Sequence, residues 1–236
     1  MTETPAPPPE ASVWIAVNGV RQRVLACSPH ALDALAAGHL AGDGCITNWR
    51  DISRIEQVAG PGGARGVNVV IADALAGAAE ALRRHRIEFG CGLRHELDCA
   101  PASLRSHRRA ADVPAVDLST AFRAVFAAAD RASPSGGVHA CALARGADIV
   151  VVDTDVARHC AVDRVLGLAL QRGADLGELG LLLSARVSAA MALKAALAGV
   201  GWIASRSVAT SLAVEIVTAA QVPLLQRAVR RTSTPS

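Results

Sequence analysis

Two apolar-rich runs, Val13–Val17 (VWIAV) and Val20–Ala26 (VRQRVLA), flank Asn18-Gly19 near the start of the chain. An Asn-Gly pair between such runs is the strongest short hairpin signal a sequence carries. Ser28-Pro29 then opens a helix over His30–Leu40 that stops at the glycine-rich AGDG. Strand patterns return at Ile52–Val58 and Gly66–Ala72, followed by a helical stretch over Asp73–His85. Between Ile87 and Val116 no period survives, and a segment that long inside a compact fold is usually functional or disordered.

From Asp117 the pattern is regular. Asp117 or Ser119 caps a helix over Thr120–Arg131, which Ser133–Gly137 breaks. Strands follow at Val138–Ala144 and Asp148–Asp153 around a short RGAD turn, then a helix over Val156–Leu170. Strand Leu179–Ser184, helix Val187–Ala198, strand Gly201–Ser205, helix Thr210–Ala220 and strand Val222–Leu225 complete the chain. Alternation of strands with helices of this length predicts an α/β fold with a mainly parallel sheet and flanking helices. A smaller N-terminal subdomain containing the hairpin precedes it. The expected division is a disordered leader over 1–11, an α+β subdomain over 12–100 and an α/β domain over 101–236.

Composition narrows the function classes. Among 236 residues the net charge is only +3, and with three Phe, three Trp and no Tyr there is little to stack on bases. Nucleic-acid binding is therefore not expected. The basic runs RRHR (Arg83–Arg86), RSHRR (Arg105–Arg109) and RAVRR (Arg227–Arg231) read as solvated faces or helix ends on charge patterning alone. The longest apolar stretches are broken by Arg186, Lys194 and Arg206, so no membrane span is expected. The opening MTETPAPPPE lacks the apolar core of a signal peptide. Six cysteines without regular spacing then point to reduced thiols and a cytoplasmic location.

In sheets of this kind ligands sit at the carboxyl ends of strands, where helix N-termini offer free N–H groups. Asp153–Asp163, Ser184–Ser188 and Ser205–Ser211 each follow an apolar strand and open a helix, and they bring Arg158, Arg186 and Arg206 to that rim. Capping explains the hydroxyls but not three arginines, which points to an anion site. In VARHCAVDR (Val156–Arg164), His159 and Asp163 are four apart and share a helical face, where a carboxylate can orient an imidazole. A plain surface pair satisfies the same spacing. His139 is either a satisfied core histidine or, beside Gly136-Gly137, a rim residue. Cys91 is the nucleophile candidate: it lies on a glycine-flanked loop near Arg86, Arg94 and His95, surroundings that favour the thiolate. Cys45, Cys141 and Cys160 read as packing residues.

Known motifs mostly fail. The deaminase-type zinc signature needs His-x-Glu and Cys-x-x-Cys, neither of which is present, so no metal site is expected. Neither a P-loop nor a G-x-G-x-x-G motif occurs, and GPGGARG (Gly60–Gly66) precedes a strand, as a hairpin connection would.

The segments SGGVHACAL (Ser135–Leu143), DTDVARHCAVDRVLG (Asp153–Gly167) and LLSARVSAAMALKAALAGVGWIASRSVATSLAVEI (Leu182–Ile216) together resemble the formate dehydrogenase accessory sulfurtransferase (FdhD) family. Its members carry GGxHAAAL, VGRHNAVDKVIG and SGRxS…KAAxAGIP…SAPTSLAVE in that order. The resemblance implies a cytidine-deaminase-like fold without zinc and a sulfur relay. Sulfane sulfur from a cysteine desulfurase is taken up as a persulfide on Cys91. It is passed to the bis-molybdopterin guanine dinucleotide of the formate dehydrogenase catalytic subunit.

The resemblance places the dinucleotide on His139, Arg158, His159, Asp163, Ser184, Arg186, Thr210 and Ser211. It adds the C-terminal stretch Arg227, Ala228, Val229, Arg230, Arg231 and Thr232. The chain departs from the family pattern at Arg94, where the loop's second cysteine would stand, and at Ala157, Cys160 and Ala185. A cofactor-binding chaperone with an inert Cys91 is the alternative these departures suggest. A free-standing cysteine hydrolase using Cys91, His159 and Asp163 rests only on generic triad logic. The oligomeric state, a homodimer included, is not set by the sequence.

Overall fold

A computed structural model describes residues 6–59, 64–76 and 116–228. Strands β1 (Ala11–Val17) and β2 (Val20–Cys27) form the expected hairpin. Its turn holds Asn18 and Gly19 at φ 49° and 79°, which the Asn-Gly pair tolerates and most residues do not. The Asn18 amide also bridges to Ile71, accepting from its N–H at 2.9 Å and donating to its carbonyl at 3.0 Å. That bond locks the turn against β4 (Arg65–Ile71), which pairs parallel with β1 and antiparallel with β3 (Ile52–Ala59). The first sheet thus has the order β2-β1-β4-β3.

The second sheet has the order β6-β5-β7-β8-β9, from β5 (His139–Arg145), β6 (Asp148–Asp155), β7 (Gly180–Leu183), β8 (Trp202–Ser205) and β9 (Leu224–Leu225). The expectation of a mainly parallel sheet is corrected here, because β5 runs antiparallel to both β6 and β7 and only β7-β8-β9 are parallel. The cause is the RGAD turn. Only Gly146 and Ala147 separate β5 from β6, and a parallel partner needs a crossover of a dozen residues or more. Since β6 and β7 both oppose β5, they run in the same direction. The crossover from β6 through α3 (Arg158–Gln171) to β7 therefore passes over β5.

Helix α2 (Ser119–Ala132) covers one face of this sheet. Phe122 and Val125 pack there on Ala140, Ala142, Ala144, Leu182 and Trp202. Asp117, just before the N-cap Leu118, accepts the Ser119 N–H at 2.8 Å. The opposite residues of β5, Cys141 and Leu143, enter the main core with α3, α4 (Ala189–Leu197) and α5 (Ser211–Ala219). Helix α1 (Leu32–Gly42) joins the same core from the first sheet, and all its residues but Asp33 are buried.

Helices α1 and α3 cross in backbone contact. A Cβ on Gly38 would fall 1.6 Å from the Asp163 carbonyl oxygen, and one on Gly167 would fall 1.8 Å from that of Ala34. No side chain fits at either position, so the two glycines set the helix spacing. The crossing in turn positions the residues next to Gly38.

Among the described residues no helix is long and apolar enough to cross a membrane, and no cluster of metal-ligating side chains occurs.

Candidate functional site

Strands β6, β7 and β8 point the same way, so their carboxyl ends meet at one edge together with the start of β5. Helices α3, α4 and α5 begin at that edge. The Ser184–Ser188 and Ser205–Ser211 loops are joined there: Val187 N–H donates to Val208 O at 3.0 Å, and Thr210 N–H to Val187 O at 3.0 Å. Arg227 and Ala228 are drawn to the same rim, their N–H groups donating to Ser207 O and Ser205 O, each at 2.9 Å. The structure therefore brings together His139, Arg158, His159, Ser184, Arg186, Thr210, Ser211, Arg227 and Ala228 along this edge. Cys91, Val229, Arg230, Arg231 and Thr232 lie outside the described residues.

Two of the rim hydroxyls already have structural work. Ser184 Oγ accepts the Ala140 N–H at 3.0 Å and extends the β5–β7 ladder, and Thr210 caps α5 by accepting the Ala213 N–H at 3.3 Å. Arg186, Ser211 and Arg227 are exposed. Arg158 differs from these: its Nε is buried and has no hydrogen-bond partner among the described residues. An unmet buried donor costs about 1–3 kcal/mol, so the site favours an acceptor there. Burial, then the Arg158 charge, lowers the pKa of His139 and of His159, with Lys194 adding to the effect on His159. Both imidazoles are held toward the neutral form, which can donate and accept hydrogen bonds.

The pairing of His159 with Asp163 does not occur. His159 Nε2 turns to Ser188 Oγ at 3.4 Å, whereas Asp163 is buried on the α1 side. There its Oδ2 meets His39 Nδ1 at 3.1 Å and its Oδ1 accepts from Lys194 Nζ at 2.6 Å. His39 Nε2 lies 3.4 Å from Asp43 Oδ2, and Lys194 Nζ lies 3.9 Å from Asp43 Oδ1. Residues four apart share a helix face, but here the backbone-contact crossing at Gly38 presses α1 onto that face and captures the carboxylate. Gly42 leaves room for the lysine, since a Cβ there would stand 3.0 Å from Lys194 Cγ.

Burial alone would raise the pKa of Asp163. The Lys194 charge and the His39 hydrogen bond outweigh burial and hold it below the ordinary carboxylate range. This cluster floors a cleft of about 240 Å³ whose walls include Arg23, Leu25, His159, Cys160 and Leu193.

The sequence reading missed His39, Asp43 and Lys194. The available signal was a His–Asp pair at i, i+4 closing a helix made mostly of Ala, Leu and Gly, and a lone lysine in an alanine-rich helix. Such charges are stable in a core only with partners.

A second buried pair ties the two halves of the chain. Arg164 and Asp155 are both fully buried and bonded to each other. Arg164 also donates to the carbonyls of His30 and, at 3.0 Å, Ser28. Asp155 Oδ1 accepts from Ser28 N at 3.2 Å and Ala157 N at 2.8 Å. The turn into α1 is thereby fastened to the turn into α3.

A sequence profile of the FdhD/NarQ family matches residues 8–233, almost the whole chain. The chain belongs to the FdhD/NarQ family. Relatives named sulfur carrier protein FdhD include those of Streptomyces coelicolor and Mycolicibacterium paratuberculosis. The first is 34% identical over 228 residues, covering 88% of this chain and 78% of the relative. The second is 33% identical over 233 residues, covering 92% and 84%. The relative from Methanothermobacter thermautotrophicus is 30% identical over 204 residues, covering 86% and 77%. The crystal structure of a candidate formate dehydrogenase accessory protein from Desulfotalea psychrophila superposes with a TM-score of 0.69. It covers 92% of this chain and 82% of its own at 24% identity, so the two share a fold.

Proposed function

We propose that the chain is a sulfur carrier serving formate dehydrogenase. In this reading the Cys91 thiolate attacks the outer sulfur of a cysteine desulfurase persulfide. The S–S bond of the donor breaks, the desulfurase thiolate leaves, and a persulfide forms on Cys91. The rim then receives the bis-molybdopterin guanine dinucleotide of the catalytic subunit as cargo, and transfer of the sulfane sulfur to it restores the Cys91 thiolate. The proposal includes a cytoplasmic location, where reduced thiols are maintained.

The observation that carries the rim assignment is the buried Nε of Arg158, without a partner among the described residues, beside two histidines held toward neutrality. A phosphate or heterocycle oxygen meets the guanidinium, and neutral imidazoles suit the mixed donors and acceptors of a guanine or pterin. Arg186 and Arg227 are free to reach phosphates from the exposed edge. Asp163, bonded to His39 and Lys194, contributes by shaping the cleft floor.

The test uses the full chain with a cysteine desulfurase and L-cysteine, reading the Cys91 peptide by mass spectrometry. The reading requires one added sulfur there, and guanosine diphosphate binding that weakens at least tenfold in Arg158→Gln. An unmodified Cys91 overturns the transfer. With nucleotide binding retained, that result selects the cofactor-binding chaperone, which Arg94 at the position of the family's second loop cysteine favours.

A further inference from the structure

Two thiols that the sulfur-carrier reading does not use meet at the wall of the cleft. Cys27 ends β2 and is fully buried, and Cys160, in the first turn of α3, is 3% exposed. Cys160 Sγ lies 3.9 Å from the carbonyl oxygen of Ala26, the residue before Cys27, and the two cysteines belong to one core cluster. Cys160 lines the cleft together with Arg23 and Leu25 of β2 and its neighbour His159, whereas Cys27 is not among the lining residues. A small solute in the cleft therefore meets Cys160 first.

The pair is also electrostatically asymmetric. Interaction with the Cys160 side chain pulls the Cys27 thiol below its ordinary range, with Arg164 assisting against burial and Asp155. The same interaction, then burial, raises Cys160. Cys27 is thus the thiol of the pair that gives up its proton more readily.

We propose that Cys27 and Cys160 form a thiol–disulfide couple, oxidised by a small two-electron oxidant, a peroxide or a hydropersulfide, that enters the cleft. Cys160 Sγ attacks the terminal oxygen or sulfur of the oxidant, releasing its proton to solvent. The O–O or S–S bond breaks, and the leaving hydroxide or thiolate takes a proton from solvent. Cys160 is left as a sulfenic acid or a persulfide. Cys27 Sγ then attacks the Cys160 sulfur, its proton departs with the leaving group, and water or hydrogen sulfide is released as the disulfide forms. Two thiols lose two electrons and the oxidant gains them; a dithiol reductant reverses the change. The bond fastens the end of β2 to the first turn of α3, fixing one wall of the cleft. Nothing in this couple depends on Cys91.

The test treats the full chain with hydrogen peroxide in one arm and inorganic polysulfide in another. Alkylation and unreduced tryptic digestion then precede mass spectrometry. Either arm supports the couple, and identifies its oxidant, when peptide 159–164 is found linked to peptide 24–50. Fragmentation must place the bond on Cys27 rather than Cys45, and dithiothreitol must release it. In Cys27→Ser, Cys160 should instead be trapped as a dimedone adduct after peroxide or as a persulfide after polysulfide. Both thiols still alkylatable on denaturation after both oxidants, or Cys160 linked to any other cysteine, overturns the proposal. The unsubstituted chain decides this even when Cys27→Ser does not fold.

Discussion

Replacing Arg164 with methionine removes the guanidinium that fastens the turn into α1 to the turn into α3, while keeping an unbranched apolar stem in the core. Asp155 then keeps its two backbone donors, Ser28 N and Ala157 N, but loses the charge that compensates it, and the carbonyls of Ser28 and His30 lose the guanidinium donor. Breaking one side of a buried ion pair costs about 3–5 kcal/mol. For a chain of this size each kcal/mol lowers the melting temperature by about 2–4 °C. The expected fall is therefore about 6–20 °C, read by circular dichroism and checked by urea unfolding.

Asp155→Asn should cost a comparable amount, and the double substitution less than the sum of the two. A coupling of at least about 1.5 kcal/mol is expected for residues in direct contact within one network. A loss in Arg164→Met under about 2 °C, or costs that add within about 0.5 kcal/mol, would refute the account of the pair as a buried, mutually dependent clamp.

Asp163→Ala leaves His39 and the largely buried Lys194 with Asp43 as the remaining carboxylate beside them and should destabilise the fold by about 3–5 kcal/mol. Because the folded-state pKa of Asp163 is depressed, its contribution is complete above the unfolded value near about 4 and disappears as pH falls below it. Unfolding midpoints of wild type and variant should accordingly converge only in strong acid. Gly38→Ala drives a methyl into the Asp163 carbonyl and should shift urea unfolding by more than about 3 kcal/mol, whereas Gly136→Ala meets no atom within 4 Å and loses only what its left-handed backbone imposes, about 1 kcal/mol. In an NMR titration, His139 and His159 should ionise below 6.5, and Arg158→Gln should raise both midpoints only part of the way, since burial is the larger cause.

Element types and rough boundaries were legible in the sequence because hydrophobic period, Asn-Gly, Asp117 and the strand–helix alternation act locally. The strand-end rim was legible too: an apolar strand, a polar turn and a helix start lie adjacent in the chain. What failed was long-range geometry. The RGAD turn was recognised, yet its consequence, an antiparallel β5 between two strands of opposite direction, was not carried into the sheet. The partner of Asp163 could not be read from i, i+4 spacing, because the competing partner His39 comes from 124 residues away and is delivered by a glycine crossing. Gly38 and Gly167 have no sequence signature for such a contact, since each also reads as a weak point in its own helix.

Helix α1, buried on nearly every side, sets a condition on assembly and on breathing. A helix made mostly of Ala, Leu and Gly with no polar face has little reason to persist in water, and only simultaneous coverage by the first sheet, α3 and α4 makes it stable. Its amide hydrogens therefore cannot exchange by a local opening and must wait for global unfolding. In native-state hydrogen exchange the slowest class should include Leu35 to Leu40, rather than the more open hairpin formed by their sequence neighbours β1 and β2.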